Sequence, residues 1–371
     1  MSTLLLNEDE IMLQDSARGF LDNAAPVSHL RGLRDSGVTH DAKLWAEMAQ
    51  MGWTGVLVPE ESGGSDMGHA AAGVLAQEMG VTLVISPFLS TAVMAATALR
   101  QVATVRANAA LAQITEGKVI YAIAVDEGHK HNPEAATLAA IADGNGFRLN
   151  GSKGFVVDGG NADRVLVLAM AEAGLTLFDL PADRDGIART AASMIDARDA
   201  VSIDFSDVQA TGEDVVGVVG DGMSVLRPAL EAGQAALAAE MAGLAAGAFD
   251  MTVGYLKERK QFGIEIGRFQ VLQHRAAHLW CETEVTASAV RNAGRMLDED
   301  PENATMAVSL AKARATQTAK LAVIEGVQMH GGIGMTDAFD MGFYMKRARV
   351  ATEWLGDYGY HAERVAAARG F

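Results

Sequence analysis

The sequence predicts an α+β protein in which a β-rich segment separates two helical ones. Apolar residues recur at helical spacing towards both ends of the chain. Between residues 118 and 217 the period shortens to that of strands, and Gly, Asn and Asp punctuate the runs. With 371 residues, 49% of them hydrophobic, the chain exceeds one simple core and supplies two or three domains. The segments read as 1–117, 118–217 and 218–371.

In the first segment NEDEIMLQDSARGFL (7–21) opens on an Asn/acidic start and places Ile11, Leu13, Phe20 and Leu21 on or near one helical face. DAKLWAEMAQMGW (41–53) repeats that pattern with Leu44, Trp45, Met48 and Met51. VPEESGGSDMG (58–68) is a loop, and Gly80 is expected to end the helix after it. The middle segment carries VIYAIAV, ATLAAIA, FRLNGSKGFVVDGG, RVLVLAMA, LTLFDL and VSIDFSDV, with NGSKG (150–154) reading as a hairpin-type turn. No helical stretch lies between these strands, which favours an antiparallel sheet or barrel. In the last segment helices are expected over 222–258, 268–298, 303–330 and 341–369, with short connections that suggest an antiparallel four-helix bundle.

The formal net charge of −17 argues against nucleic acid, whose phosphates need a basic face. An anionic ligand must therefore be held by local groups against an unfavourable overall field. Cys281 is the single cysteine, so no intrachain disulfide forms and a reducing compartment is expected; on its helical pattern it reads as buried filler. MSTLLLNEDEIM has no basic leader and reads as no signal peptide. The apolar stretch 232–256 is studded with Gln234, Glu240 and Asp250, so it reads as a buried helix and not a membrane span. A soluble, cytoplasmic protein is expected.

Two breaks between the late helices are unusual. RKQFGIEIGRFQVLQHR (259–275) gathers cationic and amide groups in an acidic chain. A guanidinium at a helix end offers a planar fork for phosphate oxygens, and Gln270 both donates and accepts. QMHGGIGMT (328–336) has three glycines in four positions, which lets a ligand approach bare backbone N–H groups. Each alone also reads as a helix–helix corner.

Together these residues resemble the acyl-CoA dehydrogenase family: Arg259-x-Gln261-Phe262-Gly263, then Ile266-Gly267-x-Phe269-Gln270, then Gln328-x-His330-Gly331-Gly332-x-Gly334. Gly52-Trp53 leading to Pro59-Glu60-Glu61-x-Gly63-Gly64, and Asn150-Gly151-Ser152-Lys153, extend the resemblance over nearly the whole chain. It implies a helical N-terminal domain, a middle β-barrel and a C-terminal four-helix domain, assembled as a dimer of dimers. It also implies FAD, with Arg259, Phe262, Gln270, Gln328, His330, Gly331, Gly332 and Gly334 on the diphosphate and adenosine half of a neighbour's cofactor. The implied reaction removes a proton α to an acyl-CoA thioester and passes the β-hydride to the flavin. The partners implied are acyl-CoA and an electron-transfer flavoprotein.

The chain departs from the family where the chemistry sits. Most relatives place a glutamate before the glycine that matches Gly356, and here that position is Leu355. The family's other base position is Gly233, and its neighbouring arginine is Gln234. Among Glu231, Glu240, Glu353 and Asp357, the last is the candidate base; a helix cap or interface carboxylate is the alternative. In place of the family's Thr-Glu-Pro, Gly-Ser-Asp and Trp-Ile-Ser/Thr stand Val125-Asp126-Glu127-Gly128 and Phe155-Val156-Val157. Phe155 packs on a flavin or in the barrel core, and His129-Lys130-His131 reads as an exposed loop that binds no metal. Two readings result. One is a dehydrogenase subunit with Asp357 as base. The other is a partner subunit, like the small subunits of heterotetramers acting on bulky or steroid side-chain acyl-CoA, that supplies only the cross-interface half of the FAD site. Gly233, Ala235 and Ala236 leave room for a bulky acyl group.

Overall fold

The computed structural model describes residues 5–371; Met1–Leu4, the start of the stretch read above for a leader, lie outside the described residues. The chain opens with α1 (Glu8–Ala24), α2 (Val27–Ser36), α3 (Ala42–Gln50) and α4 (Gly68–Thr82). A π-helical stretch, Phe88–Ala95, runs directly into α5 (Ala96–Leu99), and α6 (Val105–Thr115) follows. The strands are β1 (Tyr121–Ala124), β2 (Ala139–Asp143), β3 (Gly146–Val157), β4 (Arg164–Ala171), β5 (Gly174–Pro181), β6 (Ile187–Ala191) and β7 (Ala200–Thr211). Then come α7 (Gly222–Glu258), a short hairpin of β8 (Lys260–Gln261) and β9 (Ile264–Glu265), α8 (Gln270–Glu299), α9 (Thr305–His330), α10 (Met341–Glu353) and α11 (Tyr358–Ala368). The first helix starts as its sequence demands: Asn7 accepts from Glu10 N while Glu10 reaches back to Asn7 N, a reciprocal cap.

These elements form two compact units that interleave along the sequence. One comprises the residues up to Gly32, His69–Val84 and Gln234–Phe371; the other comprises Leu33–Gly68 and Ile85–Gly233.

The second unit is built on a seven-stranded sheet. β2, β3, β7 and β6 pair antiparallel in that order, and β5 is antiparallel to β4. The expected all-antiparallel arrangement fails at β4, which runs parallel to β1 at its start and to β2 at its end. The cause is connectivity. The β2–β3 hairpin reverses the chain once and the connection from β3 to β4 reverses it again, so β4 lies along β1 and β2 in their own direction. The sheet is curled and open, with no pairing between β1 and β6 among the described residues, so it is not a closed barrel. The hairpin turn is Gly144-Asn145, with Gly144 at φ +59°, and not NGSKG. NGSKG lies inside β3, where the register to β7 shifts after Leu149 and again after Lys153. Leu149, Val165, Val167, Phe178, Ile203 and Phe205 form the inner face.

In the first unit α4 and α7 cross in backbone contact. A Cβ on Gly80 would overlap Glu240 O, and one on Gly243 would overlap Gln77 O. Gly80 thus lies within α4, which runs on to Thr82, because the crossing needs a residue without a side chain there. α7 is, among the described residues, the one helix long and apolar enough to cross a membrane, and 72% of its most apolar window is buried inside the protein. Glu240, next to the crossing, pairs with Arg347 of α10 at 3.2 Å, and both are buried. Arg347 also donates to Val84 O and Leu83 O just past the end of α4, where Leu83 has φ +58°. α8 and α9 lie side by side, joined by Thr286–Thr318 at 2.7 Å and Arg275–Glu325 at 2.5 Å.

Two expectations fail here. The single helix over 341–369 is broken at Trp354–Asp357, where Leu355 and Gly356 take φ +58° and +103°. Cys281 is exposed, because the buried stripe of α8 runs through Leu279, Thr283, Thr286 and Val290 and leaves it outside.

Gly243→Ala is expected to cost about 1–3 kcal/mol in urea unfolding, as overpacked cores do. Gly254→Ala on the same helix, where a Cβ meets nothing within 4 Å, should gain about 0.5–1 kcal/mol.

Candidate active site

Three places carry the chemistry-bearing residues. The first is one end of the first unit. α7 ends at Glu258, and Arg259 leads into the β8–β9 hairpin, whose two-residue loop is Phe262-Gly263 at φ +55° and +82°. Both positive angles define the turn that matches the twist of a tight hairpin. The turn leaves Phe262 92% exposed, its ring edge-on to Phe269 at 6.2 Å. Lys260 and Arg268 both lean on Glu265, whereas the exposed Arg259 meets no carboxylate among the described residues. Gln270, the first residue of α8, is exposed.

The end of α9 lies at the same place, since His330 stacks on Tyr255 of α7 at 4.5 Å and on Phe339 at 4.7 Å. His330 is buried, with Nδ1 2.7 Å from Gly326 O. Burial outweighs the backbone contacts at Gly326 and Met251 and pushes its pKa down. The imidazole is therefore a packing anchor for the turn that follows and not a surface cation. Gln328, two residues before it, is exposed. Gly331 caps α9 at φ +65°, ψ −146°, a conformation that glycine alone adopts readily. Gly331 and Gly332 are exposed, with open space where side chains would project, while the Gly331 N–H donates to Gln328 O. Gly334 is buried against His330 and Val327. The structure thus gathers Arg259, Gln270, Gln328 and the Gly331–Gly334 turn at one end of the helices, around the His330–Tyr255 contact.

Asp357 is not at that end. It lies by the loop Trp354–Gly356, whose backbone is gripped from three helices. Lys312 of α9 donates to Ala351 O at 2.9 Å and Gly356 O at 3.1 Å. Gln234 of α7 donates to Leu355 O at 3.2 Å, and His361 Nε2 of α11 lies 3.0 Å from the same oxygen. Leu355 itself is buried. Asp357 is the N-cap of α11, and its Oδ1 accepts from Tyr360 N at 2.9 Å. Glu353 pairs with Arg349 on its own helix. The sequence reading missed Lys312 and His361. The available signal was a lysine set among Val308, Ala311, Ala315 and Ala319, all buried on one helix.

The third place is in the second unit. Lys153, fully buried, donates to Val125 O at 3.0 Å and Glu127 Oε1 at 2.7 Å. Burial favours the protonated acid at Glu127. Hydrogen bonds from Lys153, Thr137 and Leu138 overcome that and hold its pKa at about 2. Asp126 accepts from Asn132 N and lies 2.8 Å from His131 Nδ1. His129 and Lys130 are exposed as expected, but His131 is buried by this pairing. Phe155, at φ +51°, is 37% exposed and so is not a core residue. Its left-handed backbone at the second β3 irregularity turns the ring away from the inner face. Among the described residues no cluster of three or more His, Cys, Asp or Glu is placed to hold a metal ion.

The chain runs from helices through a curled sheet to helices whose late ends carry an uncommitted guanidinium and an exposed glycine turn, and comparison with known proteins identifies its family. The acyl-CoA dehydrogenase N-terminal domain matches residues 7–117 and the acyl-CoA dehydrogenase C-terminal domain matches 220–369. The chain belongs to the acyl-CoA dehydrogenase family. It is 31% identical over 240 residues to the rat (Rattus norvegicus) short/branched chain specific acyl-CoA dehydrogenase, a match covering 62% of this chain and 55% of that protein, little more than half its length. It is 29% identical to acyl-CoA dehydrogenase IpdE2 of Mycobacterium tuberculosis, over 94% of this chain and 93% of that one. Among solved structures it is similar to a variant of the Tcur3481-Tcur3483 steroid ACAD, with a TM-score of 0.89, 28% identity and 98% of each chain covered.

Removal of the buried lysine tests the third place. Lys153→Met should lower the unfolding free energy at pH 7 by about 1–3 kcal/mol, since it strips donors from Val125 O and Glu127. Because the Glu127 pKa is depressed, its contribution is full above the unfolded value near 4.5 and is lost as pH falls through about 2. The difference between wild type and variant in urea unfolding should therefore shrink over that window.

Proposed function

We propose that the chain is a subunit of an FAD-dependent acyl-CoA dehydrogenase that catalyses α,β-dehydrogenation of an acyl-CoA thioester at a site shared with a partner subunit. The observation that carries this reading is that the exposed, uncommitted Arg259 and the exposed Gly331-Gly332 turn lie at one end of the helices. A guanidinium fork at the same end as an open glycine turn, which a ligand can approach closely, suits a diphosphate, and Gln270 and Gln328 add amide donors for the adenosine half. Bound FAD supplies the hydride acceptor. The residues of this chain hold its phosphates against the field of a −17 protein and contribute no redox chemistry themselves.

The proton acceptor is the point on which two readings part. If this chain supplies it, Asp357 is the candidate, and its carboxylate must leave Tyr360 N to approach a substrate carbon. In the second reading a partner chain brings the carboxylate, this chain serves the partner's cofactor, and Asp357 keeps its helix-cap role. A tetramer built as a dimer of dimers, homo- or heteromeric, fits either reading. The likeness to a steroid ACAD with two named components supports a heteromer and a bulky acyl group. An electron-transfer flavoprotein as electron acceptor and a cytoplasmic location complete the proposal.

The chain purified alone is expected to carry less than one FAD, and co-expression with its partner should restore a yellow complex that an acyl-CoA bleaches. In that complex Arg259→Ala should weaken FAD retention tenfold or more, as the loss of a charge-assisted phosphate contact does. Undiminished affinity would sink the assignment. Asp357→Asn should leave turnover within about threefold if the partner holds the base, and abolish it if Asp357 does. A panel of short, long and sterol-type acyl-CoA thioesters reads the substrate class; turnover of short chains alone would reject the bulky one.

A further inference from the structure

The loop Trp354–Gly356 is held by a lysine with no exposed surface, and the number of its hydrogen-bond acceptors is informative. Lys312 Nζ has two among the described residues, Ala351 O and Gly356 O. A neutral amine has two N–H groups and is satisfied by two acceptors. An ammonium has three, and here the third would be buried without a partner. The charged and titratable groups around it are few. α10 contributes Glu353, and α11 contributes Asp357 and the His361 imidazole. α7 contributes only the neutral Gln234 amide, and on α8 Glu282 is tied to Arg314. The carboxylates are engaged too: Glu353 pairs with Arg349, and Asp357 caps α11.

We infer that Lys312 is a positioning residue that holds the 354–356 loop as a neutral amine, and that taking up a proton releases the loop. The added N–H needs an acceptor, and the group best placed to become one is Asp357, the residue after Gly356. When Asp357 turns to the ammonium it gives up Tyr360 N, so the first turn of α11 frays and His361, one of the two groups on Leu355 O, loses its fixed place. Burial supports the same reading, pushing the Lys312 pKa down to about 7 from its ordinary 10.5 against the attraction of Glu353 and Asp357. Between those values the unfolded chain binds the proton that the folded chain refuses. Stability therefore rises with pH from about 7 towards 10.5. The inference rests on the proposed function only in giving the loop a place at the acyl site; the clamp is a property of the chain itself.

The test uses the full chain, without FAD or acyl-CoA, so its failure is separable from failure of the proposed function. Lysines labelled with 13C at Cε are titrated by NMR, with the Lys312 signal assigned by its loss in Lys312→Met. Hydrogen exchange of peptides spanning 350–361 is followed from pH 6 to 9 and corrected for intrinsic rates. The expected result is a Lys312 midpoint near 7, and a tenfold or greater fall in protection of 356–360 below it that is absent in Lys312→Met. A lysine that stays charged through pH 9 overturns the inference, as does protection that does not change with pH. A response that persists in Lys312→Met belongs to His361 and overturns it equally. Should Lys312→Met not fold, Asp357→Asn keeps a capping side chain and removes the carboxylate. The Lys312 midpoint should then fall by half a pH unit or more, and an unmoved midpoint contradicts the part given to Asp357.

Discussion

Two helices of the first unit touch through their peptide groups, and much of that unit follows from the contact. Without side chains at Gly80 and Gly243, α4 and α7 approach until carbonyl oxygens occupy the space where Cβ atoms would be. That closeness brings the end of α4 to Glu240 and Arg347, and the buried guanidinium satisfies the carbonyls of Leu83 and Val84 that the ending helix leaves open. Arg347 fixes α10 in turn, and α10 delivers the chain to Trp354. A charge as well desolvated as Arg347 is tolerable only because the acid and both carbonyls meet it together. The geometry of the 354–356 loop is thus inherited from a crossing made by glycines in two other helices.

α9 separates the unit's two chemical ends. From Lys312 to His330 the helix rises about 27 Å. The end with the glycine turn is exposed and polar, with open space over Gly331 and Gly332. The Lys312 end is buried, and its polar groups are turned on one another. One end is arranged to meet something outside the chain, and the other to hold the chain's own backbone.

Much of the molecule was legible from residue patterns, because the helices and strands carry clean periods and the unusual motifs fall at their breaks. The limits of α7 were readable to the residue, since Gly222 and Glu258 bound one unbroken apolar pattern. What escaped reading depended on long-range contact. NGSKG has turn composition, yet Lys153 is drawn inward by Val125 O and Glu127, so the strand continues through it with irregular register. Gly80 looks like a helix stop until its neighbour on α7 is known. His131 reads as loop until Asp126 is seen beside it, and Cys281 sits one step off the buried stripe of α8. The break at Leu355 had a glycine to signal it, but not a leucine with positive φ. In the candidate site, the outward-facing motif residues were all visible in sequence, whereas the groups behind the loop were not. Lys312 and His361 act through backbone oxygens, and such oxygens leave no mark in a sequence.

The backbone at Leu355 is determined without reference to its side chain. Its carbonyl is met by Gln234 and His361, Lys312 holds Gly356 O after it and Ala351 O at the end of α10 before it, and its φ is +58°. Any residue installed there inherits one Cα–Cβ direction. A side chain of different chemistry can therefore be exchanged for the leucine there without rebuilding the surroundings. The backbone there is a fixed mounting, indifferent to what it carries.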